Sequence, residues 1–114
     1  MADNIFTKII AKQIPAKIVY EDDRVLAFRD INPQAPVHVL IVPKKDITRV
    51  AEATGADETL LGHLLTAAAE VARREGVAQS GYRLVINNGP HAGEAVPHLH
   101  VHLLGGRAMN WPPG

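Results

Sequence analysis

Near its C-terminus the chain reads PHLHVHLLGG, with His98, His100 and His102 on alternate residues. Successive side chains of an extended strand point to opposite faces. This spacing therefore sets three imidazoles on one face and Leu99, Val101 and Leu103 on the other. Such a strand needs an apolar layer against one side and presents nitrogen chemistry on the other. Half of the chain's six histidines fall in these five residues.

Three readings of the trio compete. The first is a polar strand face on which histidine happens to recur. The second is a metal site, since imidazole is a common zinc ligand. Strand geometry opposes all three binding one ion: the outer two α-carbons lie roughly 13 Å apart at the rise of a strand. Zinc wants each nitrogen at about 2.0–2.1 Å. Two of the three could still chelate, with His38 or a carboxylate from elsewhere. The third reading is covalent catalysis, in which a central neutral imidazole attacks an electrophile while its neighbours orient it and stabilise charge. Spacing alone does not select phosphorus over carbon. The preceding loop bears on that choice, because Asn87, Gly89 and Gly93 offer an amide and backbone N–H groups to an anion.

The rest of the chain supplies the layers. Its 114 residues, 46% of them hydrophobic, suffice for one domain spanning 1–114 with a modest core. Twelve basic residues balance twelve acidic ones, which argues against nucleic acid or an anionic membrane as partner. The absence of cysteine excludes disulfides and thiolate metal sites. The opening MADNIFTKIIAK has an early acid and no long apolar run, so neither a signal peptide nor a membrane span is expected, and the expected location is the cytoplasm.

Ile5, Phe6, Ile9 and Ile10 follow helical spacing with Asn4 as cap, and Pro15 closes that short helix off. AKIVYE and RVLAFRD read as strands joined at Asp22 and Asp23, and INPQAP reads as a turn. VHVLIVP is almost continuously apolar, as a central strand should be. Lys44 to Ala56 is weakly patterned, with a helical turn expected. Over 57–75 an apolar stripe of Leu60, Leu61, Leu64, Leu65, Ala68, Val71 and Ala72 predicts a long helix. Asp57 is its candidate cap, Arg73 and Arg74 suit its negative end, and Gly76 suits its exit. YRLVINN and PHLHVHLLGG add two strands. The expected fold is α+β: a five-stranded, mostly antiparallel sheet, one long helix and a short N-terminal helix. His63 falls opposite the stripe and His91 in a loop, both read as solvated. His38 opens an apolar strand. It is an ordinary core histidine unless the sheet brings it beside the trio.

HLHVHLL fits a His-x-His-x-His pattern followed by two apolar positions. FRDINPQAPVHVLIVPKK and the tail GGRAMNWPPG extend the likeness, in order, from about Ile5 to the last residue. The chain resembles the histidine triad family, and within it the phosphoramidase branch of histidine triad nucleotide-binding proteins. The tail speaks against the diadenosine polyphosphate hydrolase branch. The resemblance implies an α+β homodimer with a continuous ten-stranded sheet. It implies binding of purine nucleoside monophosphates such as adenosine monophosphate, and hydrolysis of nucleoside phosphoramidates and in some cases aminoacyl-adenylates. No metal or cofactor takes part. His100 would be the nucleophile; His102 and Asn87 would hold phosphate oxygens; His98 and His38 would support the imidazole network. Asp30 matches the carboxylate that accepts the ribose hydroxyls. Ile5, Phe6, Ile9, Phe28 and Ile31 match an apolar slot for the base, which reads shape more than hydrogen bonds. Gly93 and Ala95 belong to the phosphate loop. Ala95 departs from the pattern, since family members often carry a hydroxyl there, and Glu94 is a less familiar neighbour; both bear on efficiency and leaving-group preference. The tail from Arg107 to Gly114, too short to fold alone, is expected on the dimer partner near the leaving group. The rival class is a nucleotide-binding interaction module whose catalysis is vestigial.

Overall fold

The computed structural model describes residues 3–114. Five strands, β1 (Ile18–Glu21), β2 (Val25–Arg29), β3 (Val37–Pro43), β4 (Tyr82–Val85) and β5 (Val101–Gly105), form one sheet in the order β1-β2-β3-β5-β4. Every neighbouring pair is antiparallel. A short helix α1 (Ile5–Ile10) and a long helix α2 (Glu58–Arg74) complete the α+β architecture expected from the sequence. No helix among the described residues is long and apolar enough to cross a membrane.

The two helices cover opposite faces of the sheet, which explains why β3 is apolar at every position but His38. Val39 and Ile41 pack with Val25, Ala27, Val101 and Leu103 into the core under α2. Leu40 and Val42 pack with Leu26, Phe28, Phe6 and Ile9 on the α1 side. A strand buried on both faces has no polar side to show. Within α2 the buried residues are Leu64, Ala67, Ala68, Val71 and Ala72. Leu65, expected in the stripe, is 49% exposed, and Ala67 takes the inward position. Gly76, at φ +76°, ends the helix as anticipated. Asp57 stands at the N-cap position of α2, but its carboxylate accepts Thr54 N–H and pairs with Lys45 instead of capping the helix. The helical turn expected between Lys44 and Ala56 is the 3-10 turn Val50–Glu52, followed by a second at Gly55–Asp57.

α1 is only six residues long, and helices of that length do not hold alone. A capping box holds its start: Asn4 Oδ1 accepts from the Phe6 and Thr7 N–H groups, and Thr7 Oγ1 accepts from Asn4 N–H. Its buried Phe6 and Ile9 supply the remaining stabilisation.

His63 is not the solvated residue its helix position suggested. Its Nε2 lies 2.6 Å from Asp22 Oδ2, which also accepts from the Tyr20 hydroxyl at 2.8 Å. Asp22 Oδ1 accepts the N–H groups of Arg24 and Val25, closing the β1–β2 turn. Helical periodicity locates the exposed face of α2 but not a turn that folds down onto it. Burial works to raise the Asp22 pKa, but these donors together outweigh it and hold the carboxyl well below the usual range. Its stabilising contribution is therefore in place above the ordinary carboxylate range and is lost as acid protonates it. Asp22→Asn turns an amide donor toward this ring of donors and is expected to cost about 1–3 kcal/mol. Chemical denaturation at neutral pH checks this, and an unchanged midpoint would remove the turn from the list of stabilising features.

Candidate active site

The regular part of β5 begins at Val101, so the histidine trio is not one continuous ladder. Leu99 donates its N–H to the carbonyl of Ile47 at 2.7 Å, and His98 donates its N–H to Val96. The backbone before Val101 is thus held by the loop after β3 and by a local turn. The alternation of faces survives. Leu99, Val101 and Leu103 join the α2 core, while the His98 and His100 rings lie against Phe6 of α1, with ring centroids 6.3 and 5.0 Å away. The His102 ring stands 4.9 Å from that of His100.

The sheet register brings His38 to the trio. β3 and β5 pair Leu40 with His102, so His38, two residues along β3, is the diagonal neighbour of His102 on the same face. Its Nε2 lies 2.9 Å from His102 Nδ1 and 3.5 Å from Asp30 Oδ2. A buried histidine beside the trio is the condition under which His38 belongs to the site.

The hydrogen bonds determine where each ring carries its proton. His38 Nδ1 accepts the backbone N–H of Gln34 at 3.1 Å, so in the neutral ring the proton sits on Nε2. That Nε2–H donates to His102 Nδ1, which leaves the His102 proton on Nε2 as a free donor. His100 Nδ1–H donates to the carbonyl of His98 at 2.7 Å, leaving the Nε2 lone pair bare. His98 Nε2–H donates to the Pro43 carbonyl at 2.9 Å. Burial lowers the pKa of His38, of His100 and of His102, the last to about 4 with the charges of His100 and His38 adding to the effect. Near neutral pH these three imidazoles are uncharged: His100 presents a bare Nε2 lone pair and His102 an N–H donor.

This arrangement differs in detail from an imidazole network around His100. Its tautomer is set by the backbone carbonyl of His98, not by another ring. The His98 ring turns away to Pro43 with its Nδ1 3.9 Å from Asp46, and His38 acts on His102. The glycine N–H groups expected to face an anion are engaged within their own loop. Gly89 donates to the Glu94 carboxylate at 3.0 Å, and Gly93 to the Pro90 carbonyl. A bidentate ion pair from Arg49 holds Glu94 in place and lowers its pKa. Asn87 is half-buried just past the end of β4, which stops at Val85 rather than at Asn88, and Ala95 is exposed. His91 is exposed, as read.

Beside the rings lies a cavity of about 470 Å³, within the usual range for a small-molecule site. Ile5, Phe6, Ile9, Phe28 and Ile31 all line it, as the apolar slot requires, and Asp30 lies in its wall. Ile31 is 92% exposed, so it stands at the mouth and not in the floor. Ile14, Pro15, Ala16, Arg29, Leu40 and Val96 complete the lining. None of these carries a sequence signal beyond ordinary core or turn chemistry, and the Gln34 and His98 backbone groups carry none at all.

Residues 11–109 match the HIT domain family, and the chain belongs to it. It is 58% identical to an uncharacterized HIT-like protein of Synechococcus elongatus, over 98% of this chain and 97% of that one. It is 60% identical to the 14 kDa zinc-binding protein of Zea mays, over 96% of this chain and 87% of the maize protein. The crystal structure of a HIT family hydrolase from Legionella pneumophila superposes with a TM-score of 0.96 at 49% identity, covering 98% of this chain and all (100%) of that one.

Among the described residues, Asp30, His38 and His102 offer ligand atoms within 4.8 Å of one another. A metal-bound histidine normally donates its second N–H to an acceptor. His38 Nδ1 instead faces a donor, the Gln34 N–H. Metal on Nε2 would force a proton onto Nδ1 and set two N–H groups against each other. The set suits a hydrogen-bond chain and fits a resident ion badly.

The depressed histidine pKa values have a consequence for stability. The folded state declines protons that the unfolded chain accepts, so stability falls as pH drops below 6.5 and keeps falling to about 4. His102→Gln removes one of the three contributing rings and is expected to flatten that slope. Denaturation midpoints across the interval check this; an identical slope in the variant would mean His102 is not buried neutral.

Proposed function

We propose that the protein is a hydrolase of purine nucleoside 5'-phosphoramidates, acting through a covalent nucleotidyl-histidine. The observation that carries the reading is the 2.7 Å bond from His100 Nδ1–H to the His98 carbonyl, which leaves a lone pair on Nε2 of a buried, neutral ring. In the first step Nε2 attacks the α-phosphorus, the P–N bond breaks, and the departing amine takes a proton from solvent. Water then attacks phosphorus, the bond to Nε2 breaks, and nucleoside monophosphate leaves with His100 restored. The His102 Nε2–H and the Asn87 amide supply donors for the phosphoryl oxygens. Asp30, acceptor-only when ionised, suits the ribose hydroxyls, and the 470 Å³ apolar cavity suits a purine by shape. Aminoacyl-adenylates present the same α-phosphorus with a better leaving group. The hydrolase description of the Legionella relative supports the reaction class.

A homodimer belongs to the same reading. β4 is an edge strand with Tyr82 exposed on it and Ile86 exposed just past its end, and continuing the sheet across a two-fold axis would cover that edge. Trp111 in the tail is 81% exposed, which suits a segment that packs on a partner.

His100→Ala is expected to keep nucleotide binding and to lose turnover by several orders of magnitude, since only the covalent route is removed. Rapid-quench mass spectrometry of the unaltered protein with adenosine 5'-phosphoramidate should find the nucleotide on His100. Nucleotide on another histidine, or an active alanine variant, would overturn the mechanism. Tight binding of the monophosphate without turnover of any phosphoramidate would favour the binding-module reading.

A further inference from the structure

Phe6 occupies a place that a cavity wall alone does not require. It lines the cavity, yet it is only 6% exposed, and its ring makes edge-to-face contacts with three others. Phe28 lies 5.6 Å away at 66°, His98 6.3 Å away at 82°, and His100 5.0 Å away at 79°. One ring thus separates the cavity from the nucleophile and touches both. We propose that Phe6 is a positioning residue for His100: its ring excludes water from the imidazole and limits its rotation, so that the cavity wall and the nucleophile move as one packed unit. This rests on the reading of His100 as the nucleophile.

The physical grounds are packing and solvation. His100 is itself 6% exposed, and burial is the leading influence on its protonation. The titratable groups that face it are His98, His102, Glu94 and Asp30, none of them on α1. What α1 contributes is an apolar cover, and Phe6 is that cover. Offset and edge-to-face ring contacts favour particular geometries, so the same contact that dries the ring also limits its orientation. The Nδ1–H bond to the His98 carbonyl fixes one end of the imidazole. Phe6 closes off the volume into which the other end could swing. Catalysis tolerates little freedom at an attacking atom. The dependence extends one step further back, because Phe6 is held by a six-residue helix that relies on the Asn4–Thr7 capping box.

The test uses Phe6→Leu, which keeps an apolar cover without a ring, and Phe6→Ala, which removes it, both in the full chain. Titration of His100 by NMR without ligand is read beside kinetics on adenosine 5'-phosphoramidate and on ribose 5-phosphoramidate, which has no base. The expected result is a rise in the His100 pKa toward its ordinary value, by about half a unit or more in the alanine variant and less in the leucine variant. The acid limb of kcat/KM should move with it. Turnover should fall about tenfold or more on the base-free substrate as well, where a lost wall contact has no effect. An unchanged His100 titration, with the loss confined to KM for the base-bearing substrate, would overturn the proposal and leave Phe6 as a wall only. If the alanine variant does not fold, the leucine variant decides by the same criteria. If the unaltered protein cleaves neither substrate, the phosphoramidate reading fails, and the titration still decides whether Phe6 covers His100.

Discussion

The site depends on a strand that is buried on both faces. β3 lies between β2 and β5, places Val39 and Ile41 under α2, and places Leu40 and Val42 under α1. Because one strand anchors both layers, its register against β5 fixes what stands opposite what. A slip of one residue would turn His38 to the other face and break the diagonal to His102. The apolar packing of Val39, Ile41 and Leu103, far from any chemistry, is therefore what brings two imidazole nitrogens to 2.9 Å.

Once brought together, the rings gain direction from backbone groups. Gln34 N–H supplies a donor at one end of the His38–His102 chain, and the His98 carbonyl supplies an acceptor at His100 Nδ1. These two contacts assign the protons of three rings, leaving one nitrogen bare and one N–H free at the same site. Burial keeps all three uncharged near neutral pH. The same donor at Gln34 explains why a cluster with the composition of a metal site suits one poorly. A similar economy holds in the loop before the trio, where Glu94 accepts from Gly89 and is held by Arg49.

Much of this was legible in the sequence, for identifiable reasons. Period-two alternation in PHLHVHLL and the almost continuously apolar VHVLIVP carry strong signals, and β3 runs over the residues that the pattern marked. The long helix, its exit at Gly76 and the Asn4 cap follow from local chemistry that does not depend on the rest of the fold. The resemblance named five apolar residues, Ile5, Phe6, Ile9, Phe28 and Ile31, that the fold gathers around one cavity. What escaped were contacts made across the fold by groups with no local signature. His63 looked solvated because helical periodicity does not reveal the β1–β2 turn that reaches it. The glycine N–H groups looked free because the bond from Gly89 to Glu94 forms only when the loop closes. The tautomers were out of reach because they are set by the backbone of Gln34 and His98, which every residue type shares.

The state of the His100 ring is the central claim, and it is open to direct measurement. Nitrogen-15 NMR of the imidazoles in the ligand-free protein at pH 7 distinguishes bare, protonated and rapidly exchanging ring nitrogens. The structure requires His100 with a proton on Nδ1 and a bare Nε2, together with Nε2-protonated His38 and His102. A His100 ring protonated on Nε2, or a doubly protonated imidazolium at that pH, would contradict it.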